Sequence, residues 1–320
     1  MSGEAPPQQP GFLQRTLHRV EDAWFASAEK TRCWSFDVKD EGGGEESVRR
    51  MNAVRLATGA LLPSPGLGVY RSAAGGECLA AVASALRLGY RHIDTAQLYG
   101  NEGDVGRAVA ESGLRREEVF ITTKIWTSNW GYDACRASLR QSLAELGTPY
   151  ADLVLLHAPG DPATRADTWR ALEDAAKEGQ ARAIGVSNFG IAHLQKLAQT
   201  ATIKPAVNQI ELHPWLQRRE LVDFCRQQGM AYSPLAKAQK LSDLTIAGIA
   251  QRMGVTPAQV LIRWSMQKGF VPLPKSNHPE RQQTNLDVFR FELCSDDVAA
   301  LDRLEEGLVT GWDPIAMHDV

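Results

Sequence analysis

From residue 53 onward the apolar positions recur in one arrangement: a short aliphatic or β-branched run, a polar junction, a longer amphipathic run, then another short apolar run. That alternation predicts β-strands joined by helices. The opening "VRLATGALLP" reads as a small hairpin turning at "TG". The strand-like runs that follow are "GLGVY", "RHIDT", "VFITTK", "DLVLLH", "ARAIGVS", "PAVNQIE", "MAYSP" and "FVPLPK", eight in all. Between them lie helical patterns such as "GECLAAVASALRLG", "CRASLRQSLAELG", "TWRALEDAAKEG", "AHLQKLAQ" and "RRELVDFCRQQG", several ended by a glycine suited to a C-cap. Eight parallel strands with crossover helices close most naturally into a (β/α)₈ TIM barrel of roughly 250 residues.

The first 50 residues follow a different pattern, and the expected division is an extension over 1–50 and a barrel domain over 51–320. "MSGEAPPQQPG" is proline-rich and polar, residues 12–36 can form a ragged amphipathic helix, and "KDEGGGEESVRR" reads as a charged, glycine-rich linker. The extension is therefore expected to be disordered or partly helical. Its acids Glu4, Glu21, Asp22 and Glu29 do not suit a transit peptide, and it has no apolar centre of a secretory signal. Trp24 and Trp34 leave a docking role open.

Composition narrows the function class. With 43% hydrophobic and 23% charged residues and a formal net charge of −3, the chain reads as a globular protein with no strong field for nucleic acid or an anionic membrane. No apolar run approaches the roughly 20 residues of a membrane span. Five scattered cysteines, without C-x-x-C or metal-ligand spacing, read as reduced thiols, and the expected location is the cytoplasm. With no apolar surface stripe in view, a monomer is expected.

In such a barrel the active site lies at the C-terminal ends of the strands. Polar, chemically useful residues occupy those ends one after another: Gly68 and Tyr70, then Asp94 with Tyr99 just beyond, Lys124, His157, Ser187 with Asn188, Gln209 with Glu211, Tyr232 with Ser233, and Lys275 with Ser276. Taken singly, Asp94 and Lys124 could be a structural ion pair, His157 a satisfied core histidine and Tyr99 a packing aromatic. Together they suggest chemistry. A tyrosine has an ordinary pKa of about 10, so near neutral pH a nearby cation is needed to favour its phenolate. Lys124 can supply that cation, and Asp94 can keep it charged. A neutral His157 could hold a substrate oxygen near the phenol while a hydride reaches the carbonyl carbon.

"RHIDTAQLYGNE", "ITTKIW", "LVLLHAP", "AIGVSNF", "VNQIELHP" and "PLPKSNHPERQQTN", in this order, resemble the aldo-keto reductase family from residue 53 to about 314. The resemblance implies a (β/α)₈ barrel that reduces aldehydes and ketones with NADPH, with Tyr99 as general acid, Lys124 and Asp94 tuning it, and His157 orienting the carbonyl. No G-x-G-x-x-G is present to support a Rossmann site, so the barrel itself would hold the nucleotide. By the same resemblance Ser187, Asn188 and Gln209 meet the nicotinamide carboxamide, Tyr232 stacks on its ring, and Lys275, Ser276 and Arg281 grip the 2′-phosphate. Asn285 matches an adenine-side contact, and Gly68, Val69, Tyr70, Asp94, Ser233 and Leu235 complete the expected NADP(H) surface.

The chain also departs from the family pattern. Thr284 replaces a glutamate or glutamine common beside Asn285, and Ala158 replaces a tryptophan that often follows the histidine, which widens the pocket. The segment "SPLAKAQKLSD" and the tail "GLVTGWDPIAMHDV" are short. A permissive reductase of small aldehydes, dicarbonyls or open-chain sugars is expected, its substrate bounded by Tyr70, Tyr99, Trp126, His157 and Ala158, with Trp312 as an additional wall. Three bland readings stand beside these: Ser187 and Asn188 could cap the helix in "FGIAHLQKL", Gln209 and Glu211 could be ordinary strand alternation, and Lys275 and Arg281 could be solvated surface charge. The alternative function is a catalytically silent NADP(H)-binding protein on the same fold. A metal-dependent hydrolase is disfavoured because only His157 among the histidines is well placed.

Overall fold

The computed structural model describes residues 33–39, 48–234 and 240–316, with side chains from 52 to 231 and from 240 to 315. Strands β1 (Cys33–Lys39), β2 (Val48–Arg55) and β3 (Leu61–Ser64) form an antiparallel sheet in that order. The predicted hairpin is its β2–β3 half, with Arg55 opposite Leu61 and the turn closed by Leu56 N–H to Ala60 O at 2.8 Å. β2 crosses the expected boundary between residues 50 and 51. The helix expected over 12–36 lies outside the described residues except at Cys33–Phe36, where the chain is strand instead, paired with β2.

The barrel strands are β4 (Leu67–Gly68), β5 (His92–Asp94), β6 (Phe120–Ile125), β7 (Ala151–Leu156), β8 (Ala181–Ser187), β9 (Val207–Ile210) and β10 (Ala231–Pro234), all parallel and adjacent in chain order. The eighth predicted run, residues 270–275, closes the ring against β4: Gly66 N–H reaches Pro272 O at 3.0 Å and Gly68 N–H reaches Pro274 O at 3.3 Å. Pro272 and Pro274 have no N–H to give back, so this seam is held by one-way bonds rather than a full ladder. It is an eighth strand in place and direction, and the fold is a (β/α)₈ barrel.

Helices α1 (Glu77–Arg87), α2 (Glu102–Glu111), α3 (Tyr132–Glu145), α4 (Pro162–Lys177), α5 (Ile191–Ala198) and α6 (Arg219–Gln227) cross between successive strands. α7 (Leu244–Met253) and α8 (Pro257–Gln267) precede the eighth strand, and α9 (Pro279–Leu286) and α10 (Ser295–Asp302) follow it. The predicted glycine stops are real: Gly89, Gly147, Gly179 and Gly229 follow α1, α3, α4 and α6 with positive φ, the left-handed geometry in which a Cβ would be strained.

β6 and β7 are buried at every position, as expected of parallel strands covered on both faces. Alternate residues divide the core. Leu153, Leu155, Ala183 and Val207 point into the barrel, where Val54, Leu56 and Leu62 of the hairpin plug the floor. Val154, Leu156, Ile184 and Val186 face outward onto Leu139, Trp169, Leu172 and Leu194 of the helices. Each such aliphatic side chain contributes about 1.5–3 kcal/mol on burial.

A titratable residue, His92, also sits in the floor. His92 bonds Thr122 Oγ1 at 3.0 Å and Pro63 O at 3.2 Å, with the Phe120 ring edge-on beside it. Burial pulls its pKa down from 6.5 to about 4, so it is neutral in the fold. Below about pH 6.5 the unfolded chain takes up a proton that the folded chain refuses, and stability falls until the folded-state His92 protonates near pH 4. At up to about 1.4 kcal/mol per pH unit, urea denaturation should show the wild type losing about 1.5 kcal/mol more than His92→Gln between pH 6.5 and 5. Equal losses would mean that His92 does not carry this acid sensitivity.

Candidate active site

β5 ends at Asp94, and the chain then makes a single 3-10 turn, Gln97–Tyr99, which Gly100 closes at φ 64° before α2 begins. This short join concentrates polar residues because several of them hold the frame. Asn101 donates to Val69 O at 3.1 Å and Ser72 O at 3.0 Å and accepts from Thr95 Oγ1 at 2.7 Å, tying the loop after β4 to the loop after β5. Gln97 donates to Ser142 Oγ at 3.0 Å and accepts from Trp126 N–H and Asn129 Nδ2, both at 3.0 Å. Glu102, buried in the first turn of α2, accepts from Thr123 and Ser142, and its burial holds its carboxyl above the usual range. These three roles were not foreseen from the sequence. Their signal was the crowding of amides and acids at one strand-to-helix join.

Lys124 is fully buried at the end of β6. Its ammonium donates to Asp94 Oδ1 at 2.7 Å, to Thr95 O at 2.9 Å and to Tyr99 Oη at 3.3 Å. Burial alone would strip its proton, but Asp94 and Tyr99 outweigh that and raise its pKa. The other oxygen of Asp94 accepts Gln209 Nε2 at 2.8 Å. For Tyr99 burial dominates, raising the phenol's pKa, while Lys124 pulls it back only in part. Lys124 thus favours the phenolate as expected, but burial outweighs it, and Tyr99 stays a phenol at neutral pH.

His157, just past β7, lies edge-on to Tyr99 with ring centroids 5.7 Å apart. Burial, with Lys124 adding to it, pulls its pKa from 6.5 to about 3, so the imidazole is neutral as expected. Its Nδ1 is buried with no hydrogen-bond partner among the described residues. The structure thus brings all four predicted residues together.

Ser187, Asn188 and Gln209 also converge. Ser187 Oγ donates to Gln209 O at 2.9 Å, and Asn188 Nδ2 reaches Ser187 Oγ at 3.1 Å and His157 O at 3.0 Å. Neither residue caps α5: the N-cap is Gly190, whose N–H goes to His193 Nδ1 at 3.1 Å. Instead Asn188 adopts a left-handed backbone, φ 62°, at the rim. Gln209 is buried, yet its Oε1 has no partner among the described residues. A buried acceptor left open beside a hydroxyl and an amide suits a primary carboxamide, which both donates and accepts.

Tyr232 and Ser233 lie in β10 opposite Asn208 and Gln209; their side chains, and all of Leu235, are outside the described residues. Gly68 lies on the β4 seam, with Val69 and Asp94 joined by Val69 N–H to Asp94 O at 3.0 Å. Lys275 and Arg281 are exposed near the start of α9 without an ion pair among the described residues. Ser276 is buried and its hydroxyl is engaged in a turn with His278, while Asn285 is buried on the inner side of α9. Thr284 bonds back to Glu280 O at 2.8 Å within α9.

The predicted substrate wall is a row of aromatic rings. Tyr70 contacts Tyr99 at 5.0 Å, Trp126 contacts His157 at 5.1 Å, and Trp312 tilts over Trp126 at 6.3 Å. Ala158, itself buried, joins Thr127, Gly160 and Trp312 around a cleft of about 270 Å³. Glu211 is not mere strand alternation: it accepts from the Thr310 backbone N–H at 3.1 Å and from the Thr310 hydroxyl, pinning the C-terminal segment that carries Trp312.

Known proteins share this arrangement of chain. Residues 68–306 match the family described as "Aldo/keto reductase family". An aldo-keto reductase of Mycolicibacterium smegmatis is 46% identical over 265 residues, covering 82% of this chain and 96% of that protein. Glyoxal reductase of Bacillus subtilis is 44% identical over 266 residues, covering 82% and 96%. A solved structure of a Gox0644 mutant in complex with NADPH is 38% identical, with a TM-score of 0.78 over 83% of this chain and 98% of that one.

The buried ion pair has a measurable consequence. Asp94→Asn leaves the Lys124 ammonium without its counter-charge and should cost about 3–5 kcal/mol in urea denaturation, of which Asp94→Asn with Lys124→Met recovers a large part. If the double variant is no more stable than the single one, the ammonium is not the source of the loss.

Proposed function

The chain belongs to the aldo/keto reductase family, and from that premise we propose that it reduces small aldehydes and ketones with NADPH, Tyr99 being the proton donor. The observation that carries this reading is the Lys124 ammonium held between Asp94 and a protonated Tyr99, beside a neutral His157. A buried charge of this kind is costly to maintain, and a purely structural pair would not need a phenol as its third partner.

Bound NADPH would supply the hydride for the carbonyl carbon. The remaining work falls to the protein. Gln209 Oε1, Ser187 and Asn188 suit the carboxamide of the nicotinamide, and the unfilled acceptor on Gln209 is the structural support for that fit. Lys275 and Arg281 suit a phosphate dianion, a point charge and a planar fork together, which favours NADP(H) over NAD(H). Neutral His157 can donate a hydrogen bond to the substrate oxygen without competing for the Tyr99 proton. Lys124 then stabilises the phenolate as the proton leaves. The alternative, a catalytically silent nucleotide-binding protein, has no such use for a phenol kept protonated.

For the substrate, the open wall at Ala158 and the aromatic row favour small, weakly selected carbonyls. The 44% identity to a glyoxal reductase points to dicarbonyls within that class.

Mixing the protein with NADPH and glyoxal should give cofactor oxidation that Tyr99→Phe lowers by about 100-fold or more. Reduction should persist through neutral pH and fail only in the alkaline range, because the Tyr99 phenol is raised. No limb from His157 should occur between pH 5 and 8, since that group titrates near 3. Wild-type rates in the Tyr99→Phe protein would defeat the mechanism, and a limb near 6.5 that disappears in His157→Gln would defeat the neutral imidazole.

Replacing both Lys275 and Arg281 by Met should raise KM for NADPH by about tenfold or more and leave KM for NADH nearly unchanged. Equal rises for the two cofactors would show that these cations do not read the 2′-phosphate.

A further inference from the structure

Gln209 has a contact that the functional reading does not use. Its Nε2 does not stand free at the rim; it is spent on Asp94 Oδ2 at 2.8 Å. The side chain is 1% exposed, and its only unused atom is Oε1. Asp94 Oδ1 accepts Lys124 Nζ at 2.7 Å, and the same Nζ reaches Tyr99 Oη at 3.3 Å. An unbroken path of polar contacts therefore runs from an open acceptor on β9, through β5 and β6, to the phenol.

We propose that Gln209 is a positioning residue that couples a donor bound at its Oε1 to Tyr99, by way of Asp94 and Lys124. The proposal rests on the carboxamide position assigned under the functional reading and adds a second task to it. A donor on Oε1 polarises the amide and strengthens its N–H bond to Asp94. Asp94 then places less of its charge on Oδ1, and the ammonium is freer to stabilise a phenolate on Tyr99. Occupancy by the correct cofactor would thus ease proton release from the residue that must give it up.

The other titratable or charged groups facing Tyr99 do not offer this route. Tyr70 and His157 touch its ring at 5.0 and 5.7 Å, but neither bonds Asp94 or Lys124. Glu102 acts on Lys124 only through space, its own oxygens taken by Thr123 and Ser142. Gln209 alone among these described residues joins an open buried acceptor to the Asp94 carboxylate.

The test follows Tyr99 itself, by carbon NMR of ring-labelled tyrosine, with the Tyr99→Phe spectrum identifying its signal among the six tyrosines. In the cofactor-free protein, Gln209→Met removes the N–H from Asp94 and should move the Tyr99 titration upward by about half a pH unit or more. In the wild type, NADP⁺ should give a lower Tyr99 titration than its acetylpyridine analogue, which carries the same ring charge but no amide donor. The gap should vanish in Gln209→Met. If Gln209→Met does not fold, the comparison of the two dinucleotides in the wild type decides alone. An unchanged titration in folded Gln209→Met, or equal titrations with the two dinucleotides, overturns the coupling. Failure of the wild type to bind either dinucleotide defeats the functional reading and the carboxamide half of this proposal, while the cofactor-free titration still decides the link from Gln209 to Tyr99.

Discussion

Placing an ammonium where it has no exposed surface costs several kcal/mol in lost hydration, and the arrangement around Lys124 is what offsets that cost. Three acceptors do it: a carboxylate oxygen, a backbone carbonyl and a phenol oxygen, contributed by Asp94, Thr95 and Tyr99. All three come from the end of β5 and the turn that follows it, so the position of one lysine constrains the path of a whole loop. The demand also runs outward. With one oxygen committed to Lys124, Asp94 takes its second bond from Gln209 on the far side of the barrel.

The resulting balance of forces on Tyr99 is not the simplest one. A cation 3.3 Å from a phenol oxygen should lower its pKa, yet removal from water raises it further than the cation lowers it. The net effect leaves the proton on the oxygen. The same burial discharges His157, and the Lys124 ammonium adds to it by repelling an imidazolium. A phenol that holds its proton and an imidazole that lacks one are complementary partners for a polar oxygen placed between them. Both states follow from desolvation more than from pairwise attraction.

Around this centre, a second set of residues spends its hydrogen bonds on backbone and neighbouring side chains. Asn101 and Gln97 fix the two loops that flank the phenol, and Glu102 secures α2 to β6 and α3. The C-terminal segment is held by Thr310 on Glu211 and by Asp313 on Arg218 at 2.8 Å, and this brings Trp312 over Trp126. The aromatic row is thus assembled from the two halves of the chain. A polar residue at a strand end can act on a ligand or hold a loop, and both kinds occur side by side in "HIDTAQLYGNE".

The strand and helix order, the hairpin turn at Thr58 and Gly59, the glycine stops and the gathering of Asp94, Tyr99, Lys124 and His157 could all be read from the sequence, because apolar periodicity and turn chemistry depend on residues close together in the chain. Even the eighth strand was visible, although Pro272 and Pro274 deprive it of a ladder, since its apolar pattern does not depend on its N–H groups. What only the tertiary structure decided was which polar atoms find partners. Gln209 and Asp94 are 115 positions apart and meet because the barrel closes. Ser187 and Asn188 had the composition of helix caps, but the N-cap is Gly190, two residues past Asn188, so neither serves. The upward shift of the Tyr99 phenol depended on how much water the folded mouth excludes, a property of the assembled surface that no local pattern encodes.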